Sequence, residues 1–430
     1  MKKLLILVLV VLALSLVAAQ CAPAATPVPP TPTPAPEATP TPVPPTPTPA
    51  PKEGTPYKIG FMAAITGRAA FLGEPERDSA LMIAAQLEEA GGGVTGPDGV
   101  FHPVEILIED TEGNPDVAIA LAKKFIDEDE VVIIVGGTRS PVSVPVAVAV
   151  IEEAQTPFIS MASSSAIVEP VEERYWTFKT PQSNKHVAPV QVAYLQAIGV
   201  TKIASLYVNN AFGVDSRDAL QDAVAGTGIE IVVEEAFEAE DTDFTAQLTK
   251  TKASDAQALV VHAIPPAAST ITVQFRELGL DMPLIHNHGV GMKPFIDLAG
   301  EAANGVVFPI GKMIGAEELP DGDPQKQVLL DFIADYEAFS GNPRSTFAGH
   351  AWDGLQWALE CLKSLPDGIS LEEQRAQCRD TIEGLTGFIG TGGIFNLSAE
   401  DHVGLSSDDL ILVKVENMEW VYFPEEEWGK

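Results

Sequence analysis

Val131-Val132-Ile133-Ile134-Val135 runs directly into Gly136-Gly137-Thr138-Arg139-Ser140. Five consecutive branched aliphatic residues show no polar alternation, which is the pattern of a strand covered on both faces, as strands of parallel sheets are. The glycine pair then ends the strand in a loop. The same kind of run recurs at Ile59-Gly60-Phe61-Met62, at residues 104–108 and at Pro157-Phe158-Ile159-Ser160. Further runs follow at 203–208, 231–233, 258–261 and Val306-Val307-Phe308. Amphipathic stretches lie between them. Within 76–90, Ala80, Ile83, Ala84 and Leu87 share one helical face, and 116–127 and 267–280 read the same way. Repeated strand–helix alternation predicts an α/β chain built on doubly wound parallel sheets. The C-terminal third changes character: 324–384 is mainly helical, and short runs at 388–395 and 410–415 return to strand.

The start of the chain predicts export. Lys2 and Lys3 precede an uncharged apolar run, Leu4 to Ala19, too short to span a bilayer comfortably, so residues 1–21 read as a signal peptide. Val17-Ala18-Ala19-Gln20-Cys21 resembles a bacterial lipobox with Cys21 at the acylation position, although Gln20 stands where a small residue is usual. Ordinary cleavage after Ala19 is the alternative. Residues 22–56 hold 15 prolines and 8 threonines in 35 positions, a Pro/Thr-rich disordered linker that cannot bury a core. Extended at about 3.1 Å per residue, it reaches on the order of 100 Å, a length suited to an anchored tether.

Residues 57–430 are too many for one small core and suit two lobes. They carry 23 Lys and Arg against 58 Asp and Glu, a net charge of −35, which excludes nucleic acid as a partner. With Cys21 lipidated, Cys361 and Cys378 remain as an even pair on successive helical segments joined by Pro366-Asp367-Gly368. They are a disulfide candidate in an oxidising compartment, and two buried free thiols are the other reading.

Ligands of doubly wound sheets sit outside the carboxyl ends of strands. Three loops occupy such positions: 66–73, 136–140 and 160–165. In the last, Ser160-Met161-Ala162-Ser163-Ser164-Ser165 lies between a strand and a helical pattern, where backbone N–H groups and hydroxyls can cradle a carboxylate. The same residues can equally cap a helix without binding anything.

Together these features resemble the receptors for branched-chain amino acids, the substrate-binding proteins of ABC transporters that belong to the type I periplasmic binding proteins. The resemblance rests on Lys58-Ile59-Gly60 with Thr66-Gly67, Leu72-Gly73, Glu109-Asp110-Thr111, Pro157-Phe158-Ile159-Ser160, Phe212-Gly213, Leu278-Gly279-Leu280 and Ala299-Gly300-Glu301 with Gly305. It implies two lobes joined by three crossings, near Thr180, Ile310 and Ile389, with the ligand closed between them. Lobe one would comprise 57–179 and 311–388, and lobe two 180–310 and 389–430. By the same resemblance, Ser140, Ala162, Ser163 and Ser164 would hold a ligand carboxylate. Phe71 or Leu72 would line the pocket, with Phe212 and Phe347 as aromatic walls. Family members that bind amino acids set an acidic residue before a Gly-Val pair; here the stretch reads His286-Asn287-His288-Gly289-Val290, so His288 takes that place. The His-Gly-Val sequence and Phe212 resemble receptors for aromatic carboxylic acids. The implied role is an exported, lipid-anchored monomer facing the periplasm or cell exterior, delivering an amino acid or another carboxylate to an ABC permease.

His286 and His288 alternate by two, but no further ligand cluster accompanies them, so no metal and no cofactor are expected. No Gly-x-Ser-x-Gly, His-Glu-x-x-His or P-loop occurs, Gly390-Thr391-Gly392-Gly393 opens no long helix, and adjacent Glu109 and Asp110 point to opposite strand faces. The chain therefore does not read as an enzyme. A sensory module that binds solute without transport remains the alternative in the same fold.

Overall fold

The computed structural model describes residues 52–429; the signal peptide, Cys21 and the linker up to residue 51 lie outside the described residues. The first sheet contains β1 (Tyr57–Ala63), β2 (Gly93–Thr95), β3 (Phe101–Asp110), β4 (Ile133–Gly136), β5 (Phe158–Ser160) and β6 (Thr177–Lys179). Their order is β2-β3-β1-β4-β5-β6, parallel except for β2 on β3. Ile133 and Val135 enter one core and Ile134 the opposite one, so the uninterrupted aliphatic run is buried on both faces. β1 behaves alike: Ile59 and Phe61 pack on one side and Met62 on the other.

The second sheet takes β7 (Lys202–Val208), β8 (Glu230–Phe237), β9 (Ala258–His262), β10 (Leu284–His286) and β11 (Val307–Gly311). The chain then returns to the first lobe with the helices Lys326–Ser340, Thr346–Lys363 and Leu371–Glu383, and Cys361 and Cys378 are bonded between the last two. A hairpin follows, β12 (Thr386–Ile389) with β13 (Ile394–Asn396). Finally β14 (Leu410–Glu416) and β15 (Glu419–Tyr422) add antiparallel strands to the second sheet, giving β15-β14-β11-β10-β9-β7-β8. In the first sheet the strand order reverses at β1 and β4, and in the second at β7 and β9. Those reversals are the switch points at which doubly wound folds bind ligands.

Two boundary expectations need correction. The third crossing is not near Ile389: Phe395, Leu397, Val403 and Leu405 all pack in the first lobe, and the chain enters the second core only at Ile411. The cause is Trp357, fully buried, whose ring meets Phe395 edge-on at 4.7 Å and holds the hairpin down. Burying a side chain of that size contributes about 1.5–3 kcal/mol. The linker also ends earlier than position 56. Gly54 donates to the Phe101 carbonyl at 2.8 Å and Phe101 to the Lys52 carbonyl at 2.9 Å, so these residues lie along the edge of β3. The other two crossings run through 180–183, which leads from β6 into the helix Asn184–Ala197, and through 312–325, which follows β11.

Candidate functional site

The strand ends of the two sheets meet across a cavity of about 1220 Å³, counting the open space at its mouth. Its walls begin with two glycines. Gly73 lies one turn into the helix Ala70–Glu89, and a Cβ there would stand 2.2 Å from the Ala64 carbonyl oxygen. Gly213 lies in the first turn of the helix Ala211–Val224, where a Cβ would stand 2.0 Å from the Val208 carbonyl oxygen. Each glycine lets its helix press on the end of the first strand of its lobe. The preceding residue, Leu72 or Phe212, then lines the cavity. Asn210 fixes the second turn, accepting from the backbone N–H of Phe212 at 3.0 Å and of Gly213 at 3.2 Å.

This packing decides between Phe71 and Leu72. Leu72 is on the wall, whereas Phe71 is partly buried against the core of the second lobe and does not line the cavity. Ser140, Ala162, Ser163, His288 and Phe347 also line it. Ser164 does not: it is fully buried, its N–H donates to Ser140 Oγ at 3.2 Å, and its hydroxyl caps Ala166 N at 3.3 Å. The helix expected after this loop is only the 3₁₀ turn Ser165–Ile167. Most of the loop's donors are already engaged, Ala162 N–H with Ser160 Oγ at 3.1 Å and Ser165 N–H with Asp215 Oδ1 at 3.0 Å.

The loop is braced from behind by Lys179, fully buried, whose ammonium donates to the carbonyls of Ser163 at 3.1 Å and Pro181 at 2.9 Å. Burial pushes this ammonium down to about 7, with nearby Asp215 opposing the shift. On the other side, Asp353 accepts from Thr391 N–H at 2.7 Å and Gly392 N–H at 2.8 Å, holding the hairpin turn against the cavity. Burial pushes its carboxyl up to about 7.

His288 sits beyond β10 in the 3₁₀ turn His288–Val290, capped by the Asn287 side chain. Its Nε2 meets Ser163 Oγ at 2.8 Å across the cleft, and its ring lies edge-on to Phe212 at 5.9 Å. His350, from the helix Thr346–Lys363, faces the same space beside Phe347, at a ring separation of 6.0 Å. Burial pushes both imidazoles down to about 3, so both are neutral at physiological pH. His286 is apart from them, fully buried with Nε2 3.0 Å from Thr272 Oγ1. Among the described residues no group of three or more His, Cys, Asp or Glu side chains could hold a metal ion.

Several wall residues escaped the sequence reading: Thr138, Arg139, Gln182, His350, Thr391 and Gly392. Thr138 and Arg139 lie in a strand-end loop already singled out, and position alone was a usable signal. Gln182 is brought in by the first crossing, His350 by a C-terminal helix, and Thr391 and Gly392 by the turn between β12 and β13, which no local pattern reports.

The chain matches the family model described as "Periplasmic binding protein" over residues 56–418. It is 25% identical over 346 residues to the leucine-, isoleucine-, valine-, threonine- and alanine-binding protein of Pseudomonas aeruginosa, covering 79% of this chain and 87% of that one. An extracellular ligand-binding receptor from Rhodopseudomonas palustris superposes with a TM-score of 0.78 at 25% identity, over 86% of this chain and 99% of the other. A branched-chain amino acid transporter substrate binding protein from Streptococcus pneumoniae, solved with isoleucine, shares the fold at a TM-score of 0.71 and 22% identity, over 86% of this chain and all of that one.

Proposed function

We propose that this chain, which belongs to the periplasmic binding protein family, is the receptor of an ABC importer and captures a small carboxylate-bearing ligand between two closing lobes. The family consists of ligand-binding proteins, so the chain is an extracytoplasmic binding protein and not an enzyme. The relatives named for leucine, isoleucine and valine support a carboxylate with an apolar body as the ligand class. The observation that carries the reading is the cavity itself, in which Ser140, Ala162 and Ser163 of one lobe face Phe212 and His288 of the other.

In the proposed mechanism, the open lobes admit the ligand, its carboxylate meets the polar wall of the first lobe, and its apolar body meets Phe212 and Phe347. Rotation about the three crossings brings His288 to Ser163 and expels water, which strengthens each hydrogen bond inside. The closed form is what a permease selects. Acylation at Cys21 and the Pro/Thr-rich linker would keep the receptor near that permease as a tethered monomer. A second reading, an aromatic carboxylic acid as ligand, is favoured by the pair of phenylalanines on the wall.

A thermal-shift panel on protein freed of co-purified ligand tests this proposal. It holds leucine, isoleucine, valine, phenylalanine, benzoate, hydroxycinnamates and short aliphatic acids. At about a thousandfold excess over Kd, a true ligand adds about 4 kcal/mol of stability. Silence across every carboxylate would refute the reading.

A further inference from the structure

We infer that Arg139 is the anion anchor of this cavity, and that the ligand it takes is a carboxylate with an apolar body and no ammonium group. The inference rests on the cavity being a receptor site, as proposed above.

Arg139 lines the cavity at the end of β4, directly before the helix Ser140–Val146. Its guanidinium is largely withdrawn from solvent, and burial holds it below its ordinary range with only Glu240 opposing the shift. Among the described residues it takes part in no side-chain hydrogen bond or ion pair, whereas Arg68, on the same wall, pairs with Glu240 at 3.3 Å. An arginine stays protonated at any working pH, and a desolvated, unpaired cation is costly. A ligand carboxylate relieves that cost through the planar fork of donors that guanidinium offers.

The serine loop is a poor substitute as anchor. The N–H groups of Ala162, Ser164 and Ser165 are bonded within the protein, and the Ser163 hydroxyl is held by His288. What these groups leave open is the role of principal counter-charge, and Arg139 fills it.

The absence of an ammonium from the ligand follows from the opposite charge count. Glu240 is the one carboxylate on the described cavity wall, its side chain is 71% exposed, and it already pairs with Arg68. The two imidazoles on the wall are neutral, and Nδ1 of each is buried without a partner. A neutral imidazole offers a hydrogen bond but no charge. An α-ammonium enclosed here would lack an anion and would share the cavity with Arg139. The rest of the wall suits an apolar body: Leu72, Met161, Phe212, Ile310, Met313 and Phe347.

Calorimetric titration of the exported chain with matched pairs tests this: leucine against 4-methylpentanoate, and phenylalanine against 3-phenylpropanoate. Within a pair only the amine differs. The des-amino acid of at least one pair is expected to bind at least about 10-fold more tightly than its amino acid. Arg139→Met is expected to weaken that acid by about 30-fold or more, with Arg139→Lys recovering part of the loss. An unfolding midpoint of each free variant near that of the parent shows that folding is intact; if Arg139→Met does not fold, the matched pairs and Arg139→Lys decide. In every pair that binds, an amino acid as tight as its des-amino partner, or a folded Arg139→Met that binds unchanged, would overturn the inference while leaving the receptor reading intact. If neither pair nor any other carboxylate of the panel binds, the receptor reading fails and the inference with it.

Discussion

Nε2 of His288 and Oγ of Ser163 stand 2.8 Å apart, a hydrogen bond that joins the loop after β10 in the second lobe to the loop after β5 in the first. Both residues line the cavity, so the bond forms part of the wall and also holds the lobes together. Around it, Ala64, Ala69 and Leu72 of the first lobe pack into the core of the second, as a closed cleft requires. Removing the hydroxyl leaves a buried imidazole nitrogen unpaired at a cost of about 1–3 kcal/mol, and that cost falls on the closed form alone. Ser163→Ala is therefore expected to weaken ligand binding by about 5- to 150-fold, measured by calorimetry, while the urea midpoint of the ligand-free protein moves little. Unchanged affinity would mean that the bond does not contribute to closure.

The close approach at Gly213 gives a second expectation. A methyl group there would lie 2.0 Å from the Val208 carbonyl oxygen, and backbone cannot yield as a flexible side chain would. Gly213→Ala is expected to cost about 1–3 kcal/mol of stability in urea unfolding and to weaken binding as well, because Phe212 moves with the helix start. A variant as stable as the parent would show that the helix sits further from β7 than described.

Burial pushes the His288 imidazole down to about 3, with the Lys179 ammonium adding charge repulsion in the same direction. In the unfolded chain it titrates near its ordinary value of about 6.5. Between these values the unfolded state binds one more proton, so stability is fully present above the unfolded value and is lost as pH falls toward 3. His288→Asn is expected to flatten the dependence of unfolding free energy on pH between 4 and 6, by up to about 1.4 kcal/mol per pH unit. Parallel profiles for parent and variant would place the imidazole in contact with solvent.

The bond between Cys361 and Cys378 closes a short loop, with a sequence separation of 17, between two helices of the first lobe. Cys361→Ser together with Cys378→Ser is expected to lower stability by about 3 kcal/mol, read from urea midpoints, without moving the affinity for ligand. Both cysteines lie in the core behind the sheet and neither lines the cavity, so a loss of affinity would contradict that separation.

The two sheets were legible because inner strands such as β1, β4 and β9 are buried on both faces, so runs such as 131–135 carry no polar interruption, although β3 and β8 are half-exposed. Strand-end loops singled out Ser140 and Ser163, whereas His288 entered only through the family resemblance. What local pattern could not supply was the depth of each residue. Phe71 and Leu72 are adjacent and equally apolar, and only the contact of Gly73 with Ala64 turns Leu72 inward. Ser164 looked like a ligand group for the same reason as Ser163, yet its hydroxyl is spent on a local turn. Arg139 was quoted only as part of a strand-end loop, and nothing in the local pattern reports its place on the cavity wall or its burial. Gln182 reaches the cavity through the first crossing and Thr391 and Gly392 through the hairpin turn held by Asp353, and Trp357 with Phe395 moves the third crossing beyond the hairpin.

In the proposed function a carboxylate ligand binds between the lobes at Ser163 and Phe212. Titrating the parent and the Ser163→Ala, Phe212→Ala double variant with the acid that gives the largest thermal shift tests it most directly. One ligand per chain is expected for the parent, and an affinity at least about 100-fold weaker for the folded variant. An affinity unchanged by both substitutions would place the ligand elsewhere and contradict it.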